Sequence, residues 1–256
     1  MSRYFITFSY DGTAYHGWQI QPNANTVQET LQKALSILLR FPVEVVGAGR
    51  TDTGVHARKM VAHFDVDASS SVFENPILLS PSDLTYKLNK LLPKDIAVYS
   101  VFPVDENMHA RFSATRRTYH YFVHLHKDPF LRSSSWHLYG TLDFDKMNEA
   151  AQILKEYRDF TSFSKVNTDT KTNDCVIYDA YWESVSTNQW RFTITANRFL
   201  RNMVRAIVGT LVEVGRGRLT LPQFRQVIEE KNRCSAGESV PAQGLFLVDV
   251  KYEMKE

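Results

Sequence analysis

Tyr4-Phe-Ile-Thr-Phe-Ser-Tyr10, followed by Thr26-Val-Gln-Glu29, decides the fold. In the first stretch Tyr4, Ile6, Phe8 and Tyr10 alternate with Phe5, Thr7 and Ser9, which is the two-residue period of a strand with one well-buried face. The second has capping-box spacing, a hydroxyl followed three residues later by a carboxylate. It opens a helix whose apolar positions Val27, Leu31, Ala34, Leu35 and Leu38 follow the helical period. Further along, Val43 to Val46 predicts a short strand running into Gly47-Ala48-Gly49, and Met60, Ala62, Phe64 and Val66 predict a third. Ser80-Pro81-Ser82-Asp83 supplies an N-cap with proline at the first helical position, and Leu84, Leu88 and Leu91 continue that helix. Ile96 to Phe102 closes the segment as a strand. The order β-α-β-β-α-β is the split ferredoxin-like arrangement.

The same grammar returns in the second half without the same sequence. Thr118 to His126 predicts a strand, Asp143 to Leu154 a helix, and Val176 to Val185 with Gln189 to Ala196 a hairpin turned at Ser186-Thr187-Asn188. A helix follows over about Phe199 to Val214, a shorter one near Leu221 to Glu230, and a last strand over Leu245 to Tyr252. The expected class is α+β: two ferredoxin-like, RRM-like halves with mostly antiparallel sheets flanked by helices, and an active-site cleft between them. The boundary is expected near Pro103 to Met108, dividing the chain into residues 1–107 and 108–256.

The chain has 256 residues, 43% of them apolar and 23% charged, too apolar for a disordered chain and ordinary for a globular enzyme. No apolar run approaches the ~20 residues needed to cross a bilayer. Ala206 to Val212 comes nearest, and it ends against Arg205 and Glu213. The N-terminus alternates where a secretory signal would be solidly apolar. Cys175 and Cys234 form neither a zinc pattern nor a disulfide framework, which points to a reducing cytoplasm with no membrane and no metal as partners.

The net charge of +2 is unevenly spread. Met108 to His137 carries Arg111, Arg116, Arg117, Lys127 and Arg132 against Asp128, and Arg198 to Arg218 carries five arginines against Glu213. Guanidinium groups are planar, permanently charged and matched to phosphate, so two such islands fit a localised anionic partner such as nucleic acid; solvated faces paired with distant acids are the plainer alternative.

Between the second and third strands lies Gly47-Ala-Gly-Arg50-Thr-Asp52-Thr-Gly54-Val-His56-Ala-Arg58, with a single carboxylate between two arginines. Nearby cations favour its ionised form. Taken alone, an Asp-Xaa-Gly aspartate is more often a turn residue bonded to its own backbone. Two look-alikes compete here. A dinucleotide fingerprint would need its third glycine where Asp52 stands, and a helix where a strand follows. Asp52-Thr53-Gly54 matches the aspartic-protease triplet, but a second carboxylate would have to come from a homodimer partner.

Tyr119, Tyr121, Val123 and Leu125 share one strand face, mostly apolar, and His120, Phe122, His124 and His126 share the other. A tyrosine there could stack on a detached base or simply pack in the core. A metal at His120, His124 and His126 lacks a completing carboxylate or cysteine within the strand. On the later helix, Arg201 and Arg205 are expected one turn apart with Arg198 just upstream, beside an apolar face of Leu200, Met203, Val204, Ile207 and Leu211.

Four blocks closely resemble the tRNA pseudouridine synthase A family: Tyr10-Asp-Gly-Thr-Ala-Tyr-His-Gly-Trp-Gln19, Gly49-Arg-Thr-Asp-Thr-Gly-Val-His-Ala57, His109-Ala-Arg-Phe-Ser-Ala-Thr115 and Asn202-Met-Val-Arg-Ala-Ile-Val-Gly209. They stand in the family's order and span about Tyr4 to Tyr252. The resemblance implies the pseudouridine synthase fold and a homodimeric, cofactor-free cytoplasmic isomerase that converts uridines 38, 39 and 40 of the tRNA anticodon stem-loop into pseudouridine. Carried over by residue, Asp52 matches the nucleophile, Arg205 the basic residue paired with it, and Tyr119 the substrate-binding tyrosine. Arg50 and the segment Met108, His109, Ala110, Arg111 and Phe112 match tRNA contacts, with Met108 standing where an aromatic is expected. A second RNA contact belongs in the polar loop Ser164 to Asp174. A catalytically silent RNA-binding protein on the same fold, or the dimeric aspartic protease, are the alternatives.

Overall fold

The computed structural model describes residues 2–66, 80–165 and 172–253, so most of the polar loop expected to meet RNA, residues 166–171, lies outside the described residues. The chain forms two compact units. The first is Met1–Thr115 with Leu247–Glu256, and the second is Arg116–Phe246.

In the first unit, β1 (Ser2–Tyr10), α1 (Val27–Leu39), β2 (Val46–Gly47), β3 (His56–Val66), α2 (Pro81–Leu91) and β4 (Ile96–Val104) follow the expected order. β1 is the central strand, antiparallel to β3 from Ser2↔Val66 to Tyr10↔Ala57 and to β4 from Arg3↔Val104 to Tyr10↔Ile96. Ile6, Phe8, Phe64, Leu31, Leu35, Leu39 and Leu88 are almost wholly removed from water, each contributing roughly 1.5–3 kcal/mol of transfer free energy. α1 turns Leu39 inward where periodicity favoured Leu38, and stops at Arg40, whose φ of 59° is left-handed. Thr26 caps it by accepting the Glu29 N–H at 3.4 Å, while the Glu29 carboxylate pairs with Lys33. Ser80 accepts the Asp83 N–H at 3.0 Å with Pro81 in the first turn of α2, as its sequence requires.

Two features differ from the sequence expectation. β2 covers only Val46–Gly47, because α1 has already taken the backbone groups before it. Ser36 accepts the Val43 N–H, Gln32 accepts the Val45 N–H, and Gln28 donates to the Val45 carbonyl. Groups so satisfied need no ladder. The second face of β1 is also buried, at Phe5, which meets Phe102, Tyr252 and His63 in an aromatic cluster.

The second unit contains β5 (Ala114–His124), β6 (Trp136–His137), α3 (Phe144–Ile153), β7 (Ile177–Ser184), β8 (Gln189–Ala196), α4 (Met203–Gly215) and α5 (Leu221–Glu229). The order β5-β8-β7 is antiparallel, and β6 adds a short parallel pair to the end of β5. β5 starts earlier than expected and ends at His124, where Asn188 Oδ1 accepts the Leu125 and His126 N–H groups and closes the ladder. β9 (Leu245–Tyr252) ends the fold, clustering with the first unit from Leu247 onward and flanking β3 there.

α4 begins at Met203, four residues later than expected. Asn202 has φ 67°, a left-handed conformation that cannot continue a helix. Arg198 and Arg201 therefore stand outside α4, and the expected arginine stripe one turn apart on that helix does not form. No helix among the described residues is long and apolar enough to cross a membrane.

Candidate active site

The aspartate loop connects β2 to β3, and the segment Tyr10–Gln19 holds it. The Thr51 carbonyl accepts the Trp18 N–H at 3.1 Å, and the Thr51 hydroxyl lies 2.8 Å from the Tyr10 hydroxyl, both residues buried. On the far side of Asp52, its carbonyl accepts the Val55 N–H at 3.1 Å, and the Gly54 N–H donates to the Tyr15 carbonyl at 3.3 Å. Gly17 makes this approach possible. Its φ is +86°, and a Cβ there would lie 2.4 Å from the Thr51 carbonyl oxygen. Tyr15 is tied down in turn by donating to Asp95 Oδ1 at 2.8 Å. Asp52 thus sits half-buried on a backbone fixed on both sides, with exposed Arg50 before it and exposed Arg58 after it. His56 is buried, and its Nδ1 accepts the Gly12 N–H at 3.1 Å, the loop-holding role its position suggests.

The segment Met108–Phe112 forms a second, separately built feature of the first unit. The Ala110 N–H donates to His63 Nδ1 at 3.1 Å, and its carbonyl accepts from the Tyr252 hydroxyl at 2.7 Å. His109 Nδ1 accepts the N–H groups of Arg111 and Phe112, and the His109 carbonyl accepts the Ser113 N–H. Arg3 donates to the Met108 carbonyl while forming a two-pronged pair with Asp65, which holds that carboxyl below its usual range. Ala110 is wholly buried, so its backbone holds the turn and its side chain faces no solvent. Arg111 and Phe112 are exposed, and the guanidinium lies 5.7 Å from the Phe112 ring centroid. His63, on β3 among Arg58, Lys59 and Asp65, belongs to no sequence motif that announces this role.

In the second unit, Tyr119 lies on β5 opposite Ile194, 9% exposed, with its ring edge-on to Phe199 at 5.1 Å. Arg205 stands in the first turn of α4. Its Nε donates to the Val240 carbonyl at 2.7 Å, and its own carbonyl accepts the Val240 N–H at 3.3 Å. This clamp depends on Gly209, where a Cβ would lie 1.9 Å from the Glu238 carbonyl oxygen. The Tyr121 hydroxyl donates to Pro241 in the same loop. Burial pushes that phenol up, against the lowering pull of the Arg205 charge. Arg233 and Asn202 both donate to Ser239 Oγ, which ties the loop to the start of α4.

On β5, His124 engages Ser135 Oγ through Nδ1 and stacks its ring on His137, and just beyond the strand His126 meets Asn188. Among the described residues no group of three or more His, Cys, Asp or Glu side chains is placed to hold a metal ion. Cys175 is buried, which pushes its thiol up to about 12, and Cys234 is exposed.

A family model described as tRNA pseudouridine synthase matches residues 6–113 and 150–253. The tRNA pseudouridine synthase A of Parabacteroides distasonis is 58% identical over 255 residues, covering 98% of this chain and 96% of that relative. Its namesake in Bacteroides thetaiotaomicron is 58% identical over 254 residues, covering 98% and 91%, and that of Bacillus subtilis 40% over 251 residues, covering 96% and 98%. The matched residues include the aspartate loop, the Met108–Phe112 turn and α4, and with this coverage the chain belongs to the tRNA pseudouridine synthase family, isomerases of uridine in tRNA.

Proposed function

We propose that this chain isomerises uridines 38, 39 and 40 in the anticodon stem-loop of tRNA, with Asp52 as the nucleophile. The observation that carries this reading is the aspartate loop itself. Its backbone is locked by Trp18, Tyr15 and the Tyr10–Thr51 hydroxyl pair, so the half-buried Asp52 is carried on a backbone fixed on both sides. Fixing a reactive group before substrate arrives is worth several kcal/mol of barrier.

The reaction breaks the C1′–N1 bond, turns the uracil and joins C1′ to C5; the C5 proton goes to solvent and N1 takes one up. An ionised Asp52 can attack C1′ covalently, as a retaining glycosidase does, or remove the C2′ proton on the way to a glycal. Arg205 is the basic residue of the reaction, and the Val240 clamp on its Nε supports a single orientation of its guanidinium. Tyr119 offers a nearly buried ring to stack on the detached base. Arg50 and the turn from Met108 through Phe112 bind the tRNA. The enzyme acts as a cytoplasmic homodimer without a cofactor.

The test is tritium release from an unmodified tRNA transcript carrying 5-³H-uridine. Release by the wild type and none by Asp52→Ala is the expected result. Tight tRNA binding without release would make the chain a binding protein on this fold.

A further inference from the structure

The amide of Ala110 is buried and must find an acceptor. In a turn that acceptor is ordinarily a backbone carbonyl or a short polar side chain nearby in sequence. Here it is an imidazole 47 positions away on β3, His63 Nδ1 at 3.1 Å. An imidazole nitrogen accepts only when it carries no proton, so His63 must be neutral with its hydrogen on Nε2. Its surroundings enforce this. Burial, then the charge of Arg3, then His109 drive its pKa down to about 4. Beyond His63, the turn is closed by a second ring whose edge meets it at 4.6 Å between centroids: His109 Nδ1 takes the Arg111 and Phe112 amides. These bonds end at an outward-facing pair, the Phe112 ring, 77% exposed, with the Arg111 guanidinium against it. An exposed aromatic beside a guanidinium suits an unstacked base and its phosphate.

We propose that His63 is a positioning residue for RNA binding: by accepting the Ala110 amide it fixes the turn that presents Arg111 and Phe112 to tRNA. This rests on the reading that the turn meets tRNA. His63 itself touches no substrate, so its effect falls on binding and leaves the chemistry at Asp52 intact.

Steady-state kinetics on an unmodified tRNA transcript tests this with three variants. His63→Leu removes the acceptor and should raise KM about tenfold while kcat stays within about twofold. His63→Asn, whose Oδ1 can stand where Nδ1 stood, should hold KM within about threefold of wild type. The double variant Arg111→Ala/Phe112→Ala should raise KM at least as much as His63→Leu. If the double variant raises KM and folded His63→Leu does not, His63 does not position the turn. An unchanged KM in the double variant defeats the underlying reading of the turn and the proposal with it. Should His63→Leu fail to fold, ¹⁵N NMR of the wild-type imidazole decides: a hydrogen on Nε2 at neutral pH supports the acceptor role, and one on Nδ1 overturns it.

Discussion

The aspartate loop and the Met108–Ser113 turn are both short irregular segments of the first unit, yet they are held by opposite chemistry. The loop is fixed chiefly by backbone amides, carbonyls and a pair of hydroxyls, with one buried imidazole, His56, at its β3 end. The turn is fixed by two imidazole nitrogens, an arginine and a phenol. A loop held chiefly by backbone groups tolerates little substitution, because the backbones approach as closely as glycine allows. A turn held by imidazoles gains a dependence on protons.

Four experiments press on that contrast, the largest expected effect first. Asp52→Asn should lower turnover by at least about a thousandfold while leaving tRNA affinity nearly intact, since phosphate contacts dominate binding. Single-turnover assays paired with filter binding measure both. Near-wild-type turnover would remove the loop from the chemistry altogether. Gly17→Ala must accommodate a positive φ and a Cβ 2.4 Å from the Thr51 carbonyl. It should cost on the order of 1–3 kcal/mol of stability and reduce kcat, read by urea denaturation and steady-state assays; an unchanged kcat would mean that Tyr10–Gln19 does not position Asp52.

The third variant, Tyr10→Phe, deletes one hydroxyl of the buried pair with Thr51. It should cost about 1 kcal/mol and change kcat more than KM for tRNA. The opposite split would assign the hydroxyl pair to binding. The last experiment, which reads stability and not turnover, concerns His63, whose pKa is lowered from 6.5 to about 4 by burial and Arg3. Between those values the unfolded chain binds the proton and the folded chain does not. Stability attributable to His63 is therefore complete above about pH 6.5 and declines as pH falls towards 4. Comparing wild type with His63→Asn by denaturation at stepped pH isolates this part, and parallel curves would show that the imidazole does not titrate with folding.

Much of the fold is legible locally. Ser80 with Pro81 announces the start of α2, Thr26 that of α1, and the alternation in Tyr4–Tyr10 marks the central strand, because caps and periodicities are properties of a few adjacent residues. Phe5 falls outside the alternating set Tyr4, Ile6, Phe8 and Tyr10, and its burial depends on Phe102 and Tyr252, which arrive from far along the chain. Apolar spacing runs through Phe199 to Leu211 and predicts an earlier start for α4, while one left-handed residue, Asn202, delays the helix to Met203. Of the candidate site, the motif residues were identified by resemblance, but their supports were not: neither the Val240 clamp on Arg205 nor the His63 bond to Ala110 has a sequence signature.

By itself, then, the sequence determined the order and kind of the elements, the aspartate loop between two strands and the family to which the chain belongs. Periodicity, caps and contiguous motifs are all short-range patterns. Only the tertiary structure decided how far β2 extends, where α4 begins, and which distant groups hold the loop and the turn. Those outcomes are set by which buried donor finds which acceptor, and by how closely two backbones can approach, and both depend on residues tens of positions apart.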